Sequence, residues 1–249
     1  MPVKKVCVIT GGTSGIGLCT AQAMLEKGYT VYELSRRAEG APGMKHIMAD
    51  VTKEETLAAA VQEILKQEDH IDVLINNAGF GAFGPASDMD EAMLKKMIRL
   101  NVMALTSLSL RMARRMKREG RGRIMNVAST AAFQPCPYLG VYGATKSYVL
   151  SFTESLAEEL KGSGVTVTAF CPGPTRTQFG VTAGLSQESP FDRLSADPER
   201  VAETGFKGMM AGRVVVLDGA TNRFGAFMTR FLPRCLVRRI AGGMLAKLK

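Results

Sequence analysis

Tyr142 and Lys146 lie four residues apart in Val-Tyr-Gly-Ala-Thr-Lys, and Ser129 lies thirteen residues upstream of the tyrosine. Four residues make about one helical turn, so the phenol and the ammonium project from the same face. A free tyrosine titrates near pH ~10, too high to exchange protons readily at neutrality. A fixed cation beside it favours the phenolate, and bringing the pKa down to roughly 7 takes about 4 kcal/mol of differential stabilisation. Lys146 is placed to supply part of that, while Ser129 holds a substrate oxygen and Tyr142 exchanges its proton. A Tyr and a Lys one turn apart also occur as ordinary surface pairs, so the elements around them decide between the two.

Val6-Cys7-Val8-Ile9 is a short, largely β-branched apolar run of the kind that forms a buried parallel strand. It leads directly into Thr10-Gly11-Gly12-Thr13-Ser14-Gly15-Ile16-Gly17, and a helix follows from Leu18 to Lys27, ended by Gly28. Glycines at such a junction let the backbone turn sharply and approach a pyrophosphate, which sits on the helix N-terminus. A glycine cluster alone would also fit a turn without a ligand. With a strand before it and a helix after it, the cluster meets the dinucleotide requirement.

A second strand, Thr30-Val31-Tyr32-Glu33-Leu34, ends in Ser35-Arg36-Arg37. This strand end, about 20 residues beyond the glycines, faces the adenosine ribose in dinucleotide folds. An acidic residue there binds the 2′-hydroxyl of NAD. A hydroxyl and two guanidiniums suit a 2′-phosphate instead, which favours NADP(H) over NAD(H). Glu33 precedes the contact position and is expected in a helix–sheet contact.

With Thr-Gly-x-x-x-Gly-Ile-Gly, Ser129, Tyr142 and Lys146 in this order, the chain resembles the short-chain dehydrogenase/reductase family. Asn76-Asn77-Ala78-Gly79 matches the family's Asn-Asn-Ala-Gly motif after a strand, and Asn101 matches an asparagine that kinks a helix and holds a relay water. Asp50-Val51 matches the pair that meets the adenine, and Pro172-Gly173-Pro174-Thr175 the segment beside the nicotinamide. The resemblance spans residues 5 to about 180. It implies that Tyr142 is the general acid in reduction and the base in oxidation, with Lys146 on the nicotinamide ribose lowering the Tyr142 pKa. A positively charged nicotinamide would lower it further. Ser129 would hydrogen-bond the carbonyl or carbinol oxygen, and Asn101 would sustain the proton relay. Gly11, Thr13, Ser14, Gly15, Ile16, Gly17, Ser35, Arg36, Arg37, Asp50, Val51, Asn77, Ala78, Gly79, Pro172, Gly173 and Thr175 would hold the cofactor together with Tyr142 and Lys146.

At 249 residues one α/β domain is expected. Strand patterns at 5–10, 30–34, 46–49, 72–76, 123–128, 165–171 and 213–217 alternate with helical ones at 15–27, 54–68, 88–118, 139–161 and 198–211. The expected fold is a single-domain Rossmann fold, a doubly wound parallel sheet of about seven strands with helices on both faces. Five cysteines and two histidines lack metal-ligand spacing, which argues against a metal site. No signal peptide and no apolar run of membrane-spanning length is apparent, so a cytoplasmic protein is expected. The net charge of +9 invites a nucleic-acid reading. The basic residues, however, concentrate at 111–123 and in the last thirty residues, without a base-reading motif, so nucleic acid is not expected as a partner.

Residues 176–197 are rich in Thr, Ser, Gly, Gln and Pro and are expected to form a substrate lid lined by Phe179, Val181, Leu185, Phe191 and Leu194. The lining points to a hydrophobic carbonyl or alcohol substrate. Family members often end on a Val-Asp-Gly-Gly strand used in tetramers, whereas this chain has Leu217-Asp218-Gly219 and thirty further residues. That ending leaves open whether the expected homo-oligomer is a dimer or a tetramer, and resembles a subgroup, often bacterial, of general reductases. In the basic amphipathic extension 221–249, Pro233 opens a helix with Val237, Ile240, Ala241, Met244, Leu245 and Leu248 on one face. Its composition suits a pocket cover or dimer contact first, and peripheral contact with an anionic membrane second. The reading is an NADP(H)-dependent oxidoreductase acting on a steroid-like, acyl or aliphatic ketone. The alternative is a non-catalytic NADP-binding redox sensor that docks through its C-terminal helix.

Overall fold

The computed structural model describes residues 4–184 and 195–246. Seven parallel strands form one sheet: β1 (Lys5–Thr10), β2 (Tyr29–Ser35), β3 (Lys45–Met48), β4 (Val73–Asn76), β5 (Gly122–Val127), β6 (Val165–Cys171) and β7 (Val215–Leu217), in the order β3-β2-β1-β4-β5-β6-β7. The helices are α1 (Gly15–Glu26), α2 (Glu54–Gln67), α3 (Glu91–Ile98), α4 (Leu105–Glu119), α5 (Gly140–Glu159), the single turn α6 (Phe179–Thr182), α7 (Pro198–Met210), α8 (Ala220–Met228) and α9 (Arg234–Ala246).

Alternation along β1 shows why the sheet is covered twice. Val6 and Val8 point to one face, into a core with Leu57 and Ile64 of α2, Leu108 and Met112 of α4, and Leu156 of α5. Cys7 and Ile9 point to the other, against Ala21 and Met24 of α1 and Val201 and Met209 of α7. Each fully buried aliphatic side chain of this kind contributes about 1.5–3 kcal/mol through removal from water. The order of strands reverses between β1 and β4, which opens a crevice at their C-terminal ends.

Several boundaries follow from caps. Asp90 accepts hydrogen bonds from the amides of Ala92 and Met93 at 3.2 and 3.0 Å to start α3. Asp197 does the same for Glu199 and Arg200 at 2.9 and 3.3 Å, with Pro198 as the first residue of α7. The stretch 88–118, expected as one helix, is broken. Between α3 and α4 the backbone widens into a π-helical segment over Arg99–Ala104. The widening turns Asn101 inward, where its side chain bonds the Phe80 backbone in both directions.

The C-terminal extension forms two helices, α8 and α9, where the apolar periodicity had suggested one beyond Pro233. The expected lid residues Leu185, Phe191 and Leu194, and Leu248 of the extension, lie outside the described residues.

Candidate active site

One cleft of about 1800 Å³ runs along the C-terminal ends of the strands. Its floor at the nucleotide end is the turn between β1 and α1. Asn77 secures that turn by donating from Nδ2 to the carbonyl oxygens of Thr10 and Gly11 at 3.2 and 2.9 Å. Thr10 Oγ1 in return accepts from the amides of Asn77 and Ala78 at 3.1 and 3.0 Å. A Cβ on Gly17 would collide with Asn77 Nδ2 and the Gly11 carbonyl, so only glycine lets α1 approach this closely. At the end of β2, Arg36 and Arg37 are exposed and line the cleft. Beside that strand, past the end of β3, Asp50 Oδ1 accepts from the amide and hydroxyl of Thr52 at 3.0 and 2.7 Å. Burial opposes the charged form of Asp50, but the Thr52 bonds and the nearby Arg36 hold its carboxyl below the ordinary value.

Glu33 does not enter a helix–sheet contact. It lies buried beneath the glycine turn, where Oε1 accepts from the Gly12 amide at 3.1 Å. Oε2 meets the Ser35 hydroxyl at 3.3 Å and His46 Nδ1 at 2.7 Å. Both oxygens are committed inward, which leaves the β2 end to the guanidiniums.

Three elements bring the chemistry together. Ser129 follows β5 and caps a short 3₁₀ turn, its Oγ accepting from the Ala131 amide at 3.1 Å. The Ser129 hydroxyl lies near the Tyr142 phenol on the first turn of α5 and acts to lower its pKa. Lys146, one turn later, has its Nζ 5.8 Å from the centre of the Tyr142 ring and donates to the Val127 carbonyl at 2.7 Å. Gly79 completes the arrangement from β4. A Cβ there would come within 3.0 Å of Asn101 Oδ1 and 3.4 Å of Lys146 Nζ, so the missing side chain keeps a passage between them. A dinucleotide fits this cradle, with backbone amides at the α1 end, exposed guanidiniums at the β2 end, and an ammonium and a phenol at the far end.

Residues 5–189 match the short chain dehydrogenase family. The chain is a member of that family. It is 34% identical over 209 residues to a probable short-chain type dehydrogenase/reductase, VdlC, of Helicobacter pylori, covering 82% of this chain and 77% of that one. It is 31% identical to the 3-ketodihydrosphingosine reductase of Bacteroides thetaiotaomicron, covering 74% and 68%. A solved short-chain dehydrogenase from Sphingobium yanoikuyae in complex with NADPH superposes with a TM-score of 0.79 at 29% identity, covering 91% of this chain and 93% of that one. The chain is therefore an NAD(P)-dependent oxidoreductase of the carbonyl/CH–OH class.

In this short-chain dehydrogenase every residue expected at the cofactor lines the cleft, as do Ser129, Tyr142 and Lys146. Asn101 does not. It is buried behind the wall, its Nδ2 donating to the Phe80 carbonyl at 2.9 Å and to Thr145 Oγ1 at 3.1 Å. It acts on the cleft through the backbone at Phe80 and through α5.

Electrostatics depart from the expected picture. Burial pushes the Tyr142 phenol up to about 12, and the neighbouring Ser129 hydroxyl offsets this only in part. Burial also pulls the Lys146 ammonium down to about 8. The chain's own residues thus keep the phenol protonated, the form that donates in reduction. Within the protein alone desolvation dominates the Tyr142 phenol, and the net shift is upward rather than the lowering expected of Lys146.

One feature of the site escaped the sequence, a buried network in which Asn76 Nδ2 donates to Ser109 Oγ at 2.9 Å and Asn126 Oδ1 at 2.8 Å, while Asn126 Nδ2 donates to Thr153 Oγ1 at 3.0 Å. It ties together β4, β5, α4 and α5, of which β5 leads to Ser129 and α5 carries Tyr142. Polar residues at inward strand positions were the available signal. The cleft's outer wall was expected in part, from Phe179 and from the C-terminal extension as a pocket cover. Phe179 packs its ring 5.2 Å from that of Tyr142, whereas Val181, expected beside it, is exposed. Met228, Leu232, Ile240, Met244 and Leu245 continue the wall from α8 and α9. The feet of the segment 176–197 are pinned where Thr175 and Ala196 bridge.

Proposed function

We propose that the protein reduces a ketone on a hydrophobic substrate with NADPH. The observation that carries this reading is the single cleft that Ser129, Tyr142 and Lys146 line together with the glycine turn and an apolar wall of Phe179, Met228, Leu232, Ile240 and Met244. Bound in that cradle, the reduced nicotinamide supplies the hydride. Ser129 holds the carbonyl oxygen in line with the phenol, and Tyr142 delivers its proton to that oxygen as the alcohol forms. Lys146 places a positive charge beside the phenol, and Asn101 keeps Phe80 and α5 in register around it. NADPH is favoured over NADH because Arg36 and Arg37 are exposed on the cleft at the β2 end while Glu33 is turned away. The apolar wall suits an acyl, steroid-like or aliphatic ketone, and the likeness to a 3-ketodihydrosphingosine reductase supports a long-chain one. Exposed Met103 and Tyr148, flanking the start of α4 and on α5, support a homodimer or homotetramer through those helices.

The test is oxidation of NADPH, followed by absorbance, across long-chain, steroid and acyl-thioester ketones, with NADH in parallel. Turnover with NADPH that is lost in Tyr142→Phe, by roughly 10²- to 10⁴-fold in kcat with cofactor affinity retained, is the expected result. Full activity in Tyr142→Phe would overturn the mechanism. Cofactor-dependent partner binding without turnover on any ketone would favour the redox-sensor reading instead.

A further inference from the structure

Beyond Asp218 the chain carries seven basic residues and no acidic one. The remainder, with 25 basic and 23 acidic residues, contributes only +2 of the total +9. Arg223, Arg230, Arg234, Arg238 and Arg239 are exposed, and none is in an ion pair among the described residues. Large apolar side chains stand in the open between them: Phe224 is 66% exposed, Phe231 65% and Met244 64%, with Phe227, Leu236 and Ile240 alongside. The rings of Phe227 and Phe231 pack 4.8 Å apart, so the aromatics form one patch. No helix among the described residues is long and apolar enough to cross a membrane.

This surface is continuous with the cleft. Val237 and Ala241 turn inward from α9, while Ile240 and Met244 both face solvent and line the cleft mouth. Exposed aromatics and aliphatics interleaved with unpaired arginines match an interfacial surface, in which apolar groups enter the acyl boundary and cations meet headgroup phosphates. A second copy of the chain fits less well. A two-fold contact through this face would set arginines against arginines with no carboxylate on either side. The geometry points to an anionic lipid bilayer as the occupant of the α8–α9 face, with the mouth of the cleft opening toward the lipid. The docking rests on charge and exposure alone; only the entry of substrate from the lipid side rests on the ketone-reductase reading.

Co-sedimentation of the full chain with phosphatidylcholine vesicles, with and without phosphatidylserine, tests the docking. Binding to the phosphatidylserine vesicles that weakens as salt is raised is expected. The triple variant R230E/R234E/R238E is expected to lose roughly tenfold or more of that affinity, and Phe224→Ser with Phe231→Ser to lose it as well. None of these five residues lines the cleft, so NADPH binding by the variants checks that they fold. No binding by the wild type, or equal binding by the charge-reversed variant, would overturn the proposal. So would self-association through the same residues without vesicle binding, which would assign the face to a second copy. The vesicle assay involves no turnover, so its failure leaves the Tyr142 reading untouched. Turnover of a ketone presented in anionic vesicles, compared with a water-soluble ketone, then reads the entry route. A KM raised by R230E/R234E/R238E for the vesicle-borne ketone alone is expected, and an equal effect on both would overturn entry from the lipid.

Discussion

Glu33 and His46 meet at 2.7 Å beneath the β2 end, and the far nitrogen of the same imidazole lies 3.0 Å from the Arg37 carbonyl oxygen. The pair braces the loop that presents Arg36 and Arg37, without touching the cofactor position. His46→Ala or Glu33→Gln is therefore expected to weaken NADPH by roughly 2- to 10-fold, the worth of one hydrogen bond, with a smaller effect on NADH. Isothermal titration with both cofactors reads the difference, and equal losses would assign the pair a general structural role.

Arg36→Asp removes a guanidinium from the cleft rim and puts a carboxylate near Asp50. A charge-assisted hydrogen bond to a phosphate is worth about 1.5–3 kcal/mol, so NADPH affinity should fall by at least tenfold. NADH, lacking the 2′-phosphate, should change little. Equal affinities of the wild type for the two cofactors would defeat the preference.

Lys146 makes stability depend on pH in a definite direction. Its pKa is 10.5 as a free group and about 8 in the fold, lowered by burial. Between those values the unfolded chain binds more protons than the folded one, so stability rises with pH from about 8 to 10.5, and the burial penalty is fully present below that window. Tyr142, raised from 10.0 to about 12, acts oppositely: the folded state holds the extra proton, and stability falls between those values. Lys146→Met should thus stabilise the cofactor-free protein at pH 7 by about 1–2 kcal/mol, after loss of the bond to Val127, and flatten the rise above pH 8. Urea unfolding across pH checks both, and the same variant should lose activity.

Asn101→Ala leaves the Phe80 amide and carbonyl without their side-chain partner in a buried setting. A loss of roughly 1–3 kcal/mol is expected in denaturant unfolding. Because Asn101 acts through Phe80 and Thr145, kcat should fall while the affinity for NADPH holds. Unchanged kcat would confine the residue to the kink.

What could be read before the fold was known is local. The strand–glycine–helix pattern at 6–27 and the one-turn spacing of Tyr142 and Lys146 depend on periodicity over a few residues, and the described strands follow the expected ones closely. The kink at Asn101 interrupts a helical pattern that carries no proline or glycine, so periodicity ran straight through it from 88 to 118. The helix over 220–228 was missed for a related reason, since its aromatics and arginines follow no single clean face.

Sequence alone determined the fold class, the order of the motifs and which residue types would line the cleft, because local spacing and side-chain chemistry suffice for these. Tertiary structure decided which way Glu33 points, how far burial moves the Tyr142 and Lys146 protons, and that α8 and α9 return to wall the cleft. Each depends on groups brought together from distant parts of the chain: His46 to Glu33 through the pairing of β2 with β3, Val127 to Lys146 across β5 and α5, and Ile240 and Met244 to the substrate side of Tyr142. Desolvation and hydrogen bonding belong to that assembled surface, and no local pattern encodes them.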